Sequence, residues 1–226
     1  MKLMDISALN TISTILDGVD IGDSVLSCRI EVYTCKETGN DKKLHASLEL
    51  QLQEQLSQND DSSTSPVGSL TNRLNRKTFI YLVMALNCAF PDYDFIDTKP
   101  DQFRKEPSIH LAVNSISSIL SSVTSLTEDI KTKFWSTIDS EIGIQNCEVY
   151  SFIPDPDSNP FDEDGCNVWS CNYFFYNRKL KRILFIACYA QHKLSQDDGS
   201  VLVEMIDAES NTKKYQTWIY DEMEVN

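Results

Sequence analysis

The stretch Val168–Tyr189, VWSCNYFFYNRKLKRILFIACY, decides the fold. Two runs of aromatic and aliphatic residues flank a short basic segment, Asn177-Arg178-Lys179-Leu180-Lys181-Arg182. Residues of this kind on both sides of a polar break predict two strands of a β-hairpin with the basic segment at its tip. The tip carries four cations on a chain whose formal net charge is -14. Arg178, Lys179, Lys181 and Arg182 are therefore either a solvated tip or a patch offered to an acidic partner or a nuclear import receptor.

Strands continue on either side of the hairpin. Cys147–Phe152 precedes it, and Val201–Ile206 follows after the turn signal Gln196-Asp197-Asp198-Gly199. Consecutive strands joined by short turns imply antiparallel pairing. Far upstream, residues 24–36 alternate, with Leu26, Cys28, Ile30 and Val32 on one side and Ser27, Arg29, Glu31 and Tyr33 on the other. That is the pattern of a half-buried strand. It must join the later sheet to bury its apolar side. The remaining periodic segments are helical: Ile6, Leu9, Ile12 and Leu16 between an Asp5 cap and Gly18; Leu44, Leu48, Leu52 and Leu56 as one stripe; the apolar run Arg76–Phe90, ended by Pro91; Ile109–Val123 after Pro107; and Glu128–Glu141 capped by Thr127. The expected fold class is α+β, a single domain with a central antiparallel β-sheet covered by α-helices.

Residues 57–75, SQNDDSSTSPVGSLTNRLN, break this pattern and read as a polar flexible insertion loop, too poor in large apolar residues to offset its ordering entropy. The expected organisation is one globular unit made of 1–56 and 76–208, a flexible regulatory loop 57–75, and a short acidic tail 209–226. Within the loop, Ser65 precedes Pro66, which suits a proline-directed kinase, and Ser57 precedes Asp60 by three residues, which suits an acid-directed one. A phosphate there adds roughly -1.5 to -2 charges.

At 226 residues, 41% hydrophobic and 24% charged, the chain has the composition of a soluble domain with a sizeable core. A pI near 4.5 argues against nonspecific binding to nucleic acid. Seven cysteines, none spaced Cys-x-x-Cys and most inside apolar runs, read as buried thiols in a reducing compartment. No stretch approaches the ~18–20 apolar residues of a membrane span, and no secretory h-region follows Met1. The expected location is nucleus and cytoplasm.

Three constellations invite chemistry. In DPDSNPFDEDG (155–165), Asp155, Asp157 and Asn159 match the first ligand positions of a calcium loop, but Pro160 and Cys166 stand where a glycine and a bidentate glutamate are required. Asp92 and Asp94 follow the apolar helix as a close pair; with the 155–164 carboxylates they frame a metal-dependent hydrolase as an alternative, against the plainer reading that one of them caps backbone amides while Tyr93 and Phe95 pack. His45, His110 and His192 are scattered, and no nucleophile elbow or glycine-rich phosphate loop occurs. A phosphoregulated adaptor of another pathway is the non-enzymatic alternative.

Three blocks in order carry a resemblance: MKLMDISALNTI through CRIEVYTCKETGNDKKL, then RKTFIYLVMALNCAFPDYDF (76–95), then CEVYSFIPDPDSNPFDEDG (147–165) followed by VWSCNYFFYNRKLKRILFIAC. Together they resemble the eukaryotic repressors of RNA polymerase III transcription, the Maf-one family, with the polar loop at the family's variable insertion. The motif residues are Pro91, Asp92, Tyr93, Asp94, Phe95, Trp169, Tyr173, Phe174, Phe175, Tyr176 and Asn177. The resemblance implies a non-enzymatic negative regulator with no cofactor, no metal and no sequence-specific nucleic-acid contact. It would bind RNA polymerase III at the clamp and impair recruitment to promoter-bound TFIIIB under nutrient limitation or stress. It further implies control by growth-signalling (TOR) kinases and opposing phosphatases, with Ser62, Ser63, Thr64, Ser65 and Ser69, and Ser57 beside them, as candidate phosphosites. The family's basic import signal maps onto Arg178, Lys179, Lys181 and Arg182. The loop lacks the Arg-Arg-x-Ser sites of some fungal members, so a cyclic-AMP-type kinase is not implied.

Overall fold

A computed structural model describes residues 1–58, 65–124, 126–155, 159–162 and 166–193. In chain order its elements are β1 (Lys2–Met4), α1 (Ser7–Ile15), β2 (Val19–Asp20), β3 (Ser24–Thr34), α2 (Gly39–Gln58), α3 (Arg73–Ala89), β4 (Phe103–Lys105), α4 (Ile109–Ser122), α5 (Glu128–Ile142), β5 (Glu148–Phe152), β6 (Asn167–Asn177) and β7 (Arg182–His192). The seven strands form one antiparallel sheet, ordered β1-β3-β7-β6-β5-β4, with β2 paired to β3. The fold is α+β and a single sheet organises it. β6 and β7 make the expected hairpin, with Asn177 opposite Arg182. The early alternating strand lies along the whole of β7, from Ser24 opposite His192 to Thr34 opposite Arg182.

Helices cover both faces of the sheet. On one, Leu9, Ile12 and Leu16 of the α1 segment, Ala112, Ile116 and Leu120 of α4, and Phe134, Ile138 and Ile142 of α5 pack on Leu26, Cys28, Ile30 and Val32. On the other, Leu48 and Leu52 of α2 and the α3 run around Phe79–Leu86 pack on Tyr33, Phe174, Tyr176, Ile183 and Phe185. β3 is consequently more than half-buried: Tyr33, expected on the polar side, is 1% exposed. Strands buried on both faces need no alternation. That is why Phe174-Phe175 and Ile183–Ala187 are apolar runs, their side chains divided between the two helical layers.

Past its polar first turn α3 is apolar nearly all round, as its sequence indicates, and Thr78–Leu86 are all buried. Several caps differ from expectation. α1 begins after Ile6, and Asp5 instead accepts from the Asn10 side chain at 2.7 Å. Ser108, not Pro107, precedes α4, its Oγ accepting from the His110 amide at 3.2 Å. Thr127 stands at the start of α5 without a side-chain cap bond.

The bounds of the polar loop also change. Ser57 lies in α2, Arg73–Asn75 lie in α3, and the described residues between them are held in place. Val67 and Leu70 are 1% and 4% exposed. The Lys105 amide donates to Pro66 O at 2.9 Å. Two apolar residues in a polar segment suffice when α2, α3 and the β4 edge already supply the cavity they fill. Gly68 completes the turn at φ +110°, where an added Cβ would stand 2.8 Å from Asn75 Nδ2. The strand expected at 201–206, its preceding turn and the tail 209–226 lie outside the described residues, as do Ser62, Ser63 and Thr64.

Candidate functional site

The hairpin tip divides its four cations into two kinds. Arg178 turns back onto the sheet: Nε donates to Glu148 Oε2 at 2.7 Å and Nη2 to Thr78 Oγ1 at 3.2 Å. Its guanidinium lies 5.9 Å from the Tyr176 ring centroid. Arg182 Nη1 donates to Glu141 O at 2.5 Å and approaches Glu141 Oε2 at 3.3 Å, so its charge sits at the C-terminal end of α5, where the helix dipole favours a cation. Lys179 and Lys181 are exposed, with Leu180 between them half open to solvent.

Asn177 sets this geometry. Its Nδ2 donates to Ile142 O at 2.7 Å, and its Oδ1 accepts from the Lys179 and Leu180 amides, each at 3.0 Å. It thus ties the turn to the end of α5. Glu148 gathers the other partners: Lys105 Nζ donates to it at 2.8 Å and Tyr150 Oη at 3.1 Å. Burial pushes the Glu148 carboxyl up, but the Lys105 hydrogen bond and the charges of Arg178 and Lys105 outweigh it and hold the group below the usual carboxylate range.

A second feature forms where α3 ends. Pro91 has no amide proton to continue the helix, and the chain turns with the Tyr93 amide donating to Phe90 O at 3.1 Å. Asn87 Oδ1 accepts from the Phe95 amide and Asp94 Oδ1 from the Ile96 amide, both at 3.0 Å. Asp94 is therefore a capping residue, Phe95 is buried, and Asp92 is exposed. Phe90 packs on Phe161 at 5.3 Å between centroids, and Phe161 on Tyr189 at 5.6 Å. Arg29 of β3 donates to Ala89 O and lies 4.6 Å above the Phe90 ring. These residues line an open groove of about 380 Å³ between the Phe90–Tyr93 turn, Pro160-Phe161 and β7. Blocks separated by some seventy positions in the chain thus meet on one surface, floored by aromatic rings and flanked by a cation and an exposed carboxylate.

Among the described residues, no three His, Cys, Asp or Glu side chains come together to hold a metal ion. In the acidic loop, Asn159 Oδ1 accepts from the Phe161 amide and Asp162 Oδ1 from the Asn167 amide, so both stabilise turns; Asp157 lies outside the described residues. No described helix is long and apolar enough to cross a membrane. Of the β6 motif residues, Phe174, Phe175, Tyr176 and Asn177 are buried and Trp169 and Tyr173 pack partly against the core, so these residues build the sheet. Ser57 Oγ donates to Glu54 O at 2.7 Å, Ser65 Oγ to Gly68 O at 3.0 Å, and Ser69 pairs with Thr71 on the surface at 2.7 Å. Arg29, Phe161 and Tyr189 were not singled out by sequence; the one available signal was an aromatic residue inside an otherwise acidic loop.

The profile of the family described as Maf1 regulator matches residues 26–187. The chain belongs to the Maf1 family. A Dictyostelium discoideum protein named repressor of RNA polymerase III transcription is 35% identical over 98% of this chain and 96% of its own length. A Schizosaccharomyces pombe protein named repressor of RNA polymerase III transcription maf1 is 31% identical over 97% and 98% respectively. The crystal structure of citrus Maf1 superposes with a TM-score of 0.65 at 32% identity, covering 82% of this chain and 99% of that one. The Maf1 assignment agrees with the α+β fold expected from sequence. These named Maf1 relatives are regulators rather than enzymes, and the Asp92/Asp94 hydrolase reading finds no support in the separate roles of those carboxylates.

Proposed function

We propose that this chain represses transcription by RNA polymerase III through direct binding of the polymerase. The observation that carries this reading is the end-to-end similarity to proteins named as repressors of that polymerase, across a shared fold. A direct test adds the purified chain to a reconstituted polymerase III reaction on a transfer-RNA gene, with a polymerase II template as control. Transfer-RNA synthesis should fall several-fold while the control is unchanged. Equal output with and without the chain, across a range of salt, overturns the proposal.

At finer detail, the reading places the contact on the polymerase clamp, with impaired recruitment to TFIIIB as the consequence. A formal charge of -14 favours encounter with basic surface and governs association rate more than final affinity. Phosphorylation of the 57–69 serines and Thr64 is the proposed control. At Ser65 a phosphate would replace the hydroxyl proton now donated to Gly68 O, loosening the turn that seats Val67. Nuclear entry is assigned to the hairpin tip, where Lys179 and Lys181 are the cations open to a receptor.

A further inference from the structure

Three thiols stand in one row across the sheet. Cys28 of β3 is opposite Cys188 of β7, which is opposite Cys171 of β6. Cys28 and Cys188 point toward the layer formed by α1, α4 and α5. Cys171 faces the same way, its Sγ 3.7 Å from Ser115 Oγ of α4. None of the seven cysteines is joined in a disulfide, and Cys28 and Cys188 are 4% and 1% exposed.

The backbone shows why this pair is special. The Cys28 amide donates to Leu16 O at 3.0 Å, and its carbonyl accepts from Ser13 Oγ at 3.0 Å. In an antiparallel strand both groups of one residue point to the same edge, so Cys28 turns them toward α1 and away from β7. Cys28 and Cys188 therefore form a non-hydrogen-bonded pair, the position at which facing side chains come closest, with Cα atoms about 4.5 Å apart. That separation lies inside the roughly 4.4–6.8 Å range that a disulfide spans. The two sulfurs are in direct contact. Cys28 also borders an open cavity of about 370 Å³ reached past Asn10, Ser13 and Asp17 of the α1 segment. A hydroperoxide little larger than water, whose share of liquid volume is about 30 Å³, has room there.

We propose that Cys28 and Cys188 are an oxidation site that closes to a cross-strand disulfide, with a hydroperoxide as oxidant. The Cys28 sulfur, deprotonated on attack, takes the terminal oxygen of hydrogen peroxide; the O–O bond breaks, water leaves and Cys28 becomes a sulfenic acid. The Cys188 sulfur attacks the Cys28 sulfur, the S–S bond forms, the S–O bond breaks, and the Cys188 proton leaves with the hydroxyl as a second water. Two thiols are oxidised to one disulfide, and one peroxide is reduced to two waters. A dithiol reductant reverses the closure by exchange. The hydrogen bond with Cys28, and then burial, push the Cys188 thiol up, so attack by Cys188 gains from rising pH.

The test uses the full chain at low concentration. It is treated with hydrogen peroxide, denatured, alkylated with iodoacetamide and digested, with and without prior dithiothreitol. Alkylated cysteines should fall from seven to five, a crosslinked peptide should join Cys28 to Cys188, and dithiothreitol should restore all seven. Cys28→Val should lose no pair. Seven alkylated thiols after peroxide, a crosslink joining another pair instead, irreversible oxygen adducts on Cys28 or Cys188, or pair loss persisting in Cys28→Val would each overturn the assignment. The peptide map of the wild-type chain decides the matter even if the variant folds poorly.

Discussion

Asn177 is a single side chain on which two elements depend. It is 2% exposed, and three backbone groups, Ile142 O and the Lys179 and Leu180 amides, find their partner in it. Asn177→Ala removes all three bonds and should cost about 2–3 kcal/mol, since unsatisfied buried groups cost about 1–3 kcal/mol each and the turn amides can partly rehydrate. The urea midpoint should fall with an unchanged m-value. Glu148 makes a pH prediction. Its folded-state pKa is lowered, so its contribution is present above the unfolded value of about 4.3 and is lost as pH falls through the lower folded value. Melting temperature should drop over that acidic window, and Glu148→Gln should flatten that part of the curve. None of this was legible in the sequence. Arg178 and its carboxylate are 30 positions apart, Arg182 and Glu141 are 41, and four adjacent cations look equivalent until the fold brings acids to two of them.

At the scale of elements, the β6–β7 hairpin should respond to charge reversal by position. Lys179→Glu with Lys181→Glu should leave thermal stability within about 0.5 kcal/mol of wild type, as surface substitutions do, and reduce nuclear accumulation. Arg178→Glu should place a second carboxylate beside Glu148 and lower stability by about 1–3 kcal/mol. Unfolding curves of both variants, read beside their nuclear-to-cytoplasmic ratios, separate a structural from a recognition role. The hairpin was legible because a polar break interrupts two long apolar runs, and β3 because it alternates. The short strands β1, β2 and β4 were not, since two or three residues carry no period. The groove was missed for another reason: the Phe90–Tyr93 turn is plain in sequence, but its partners Phe161 and Arg29 are set by the packing of other elements.

Over the whole molecule, the sheet joins the beginning of the described chain to its end. β3 lies between β1 and β7, while the β5–β4 edge comes from the middle of the sequence. The N-terminal segment therefore cannot form an independent core: Leu26, Cys28, Ile30 and Val32 are covered by residues of α4 and α5 as well as α1. If the chain is divided after Asp61, each fragment alone should lack a cooperative thermal transition, and an equimolar mixture should regain one by far-UV circular dichroism. A cooperative transition in the N-terminal fragment alone would show that β3 does not need β7.

The pairing of β3 with β7 has a consequence during synthesis. At about 5–20 residues per second, the ribosome needs roughly 7–30 s to travel from Thr34 to Arg182. Through that interval β3 has its hydrophobic side made and its principal neighbour still unwritten. Long-range pairing of this sort is slow to close and exposed to wrong partners. The nascent chain is thus most in need of chaperone cover before its last described strand emerges, and it should aggregate more readily during translation than on refolding of the finished polypeptide.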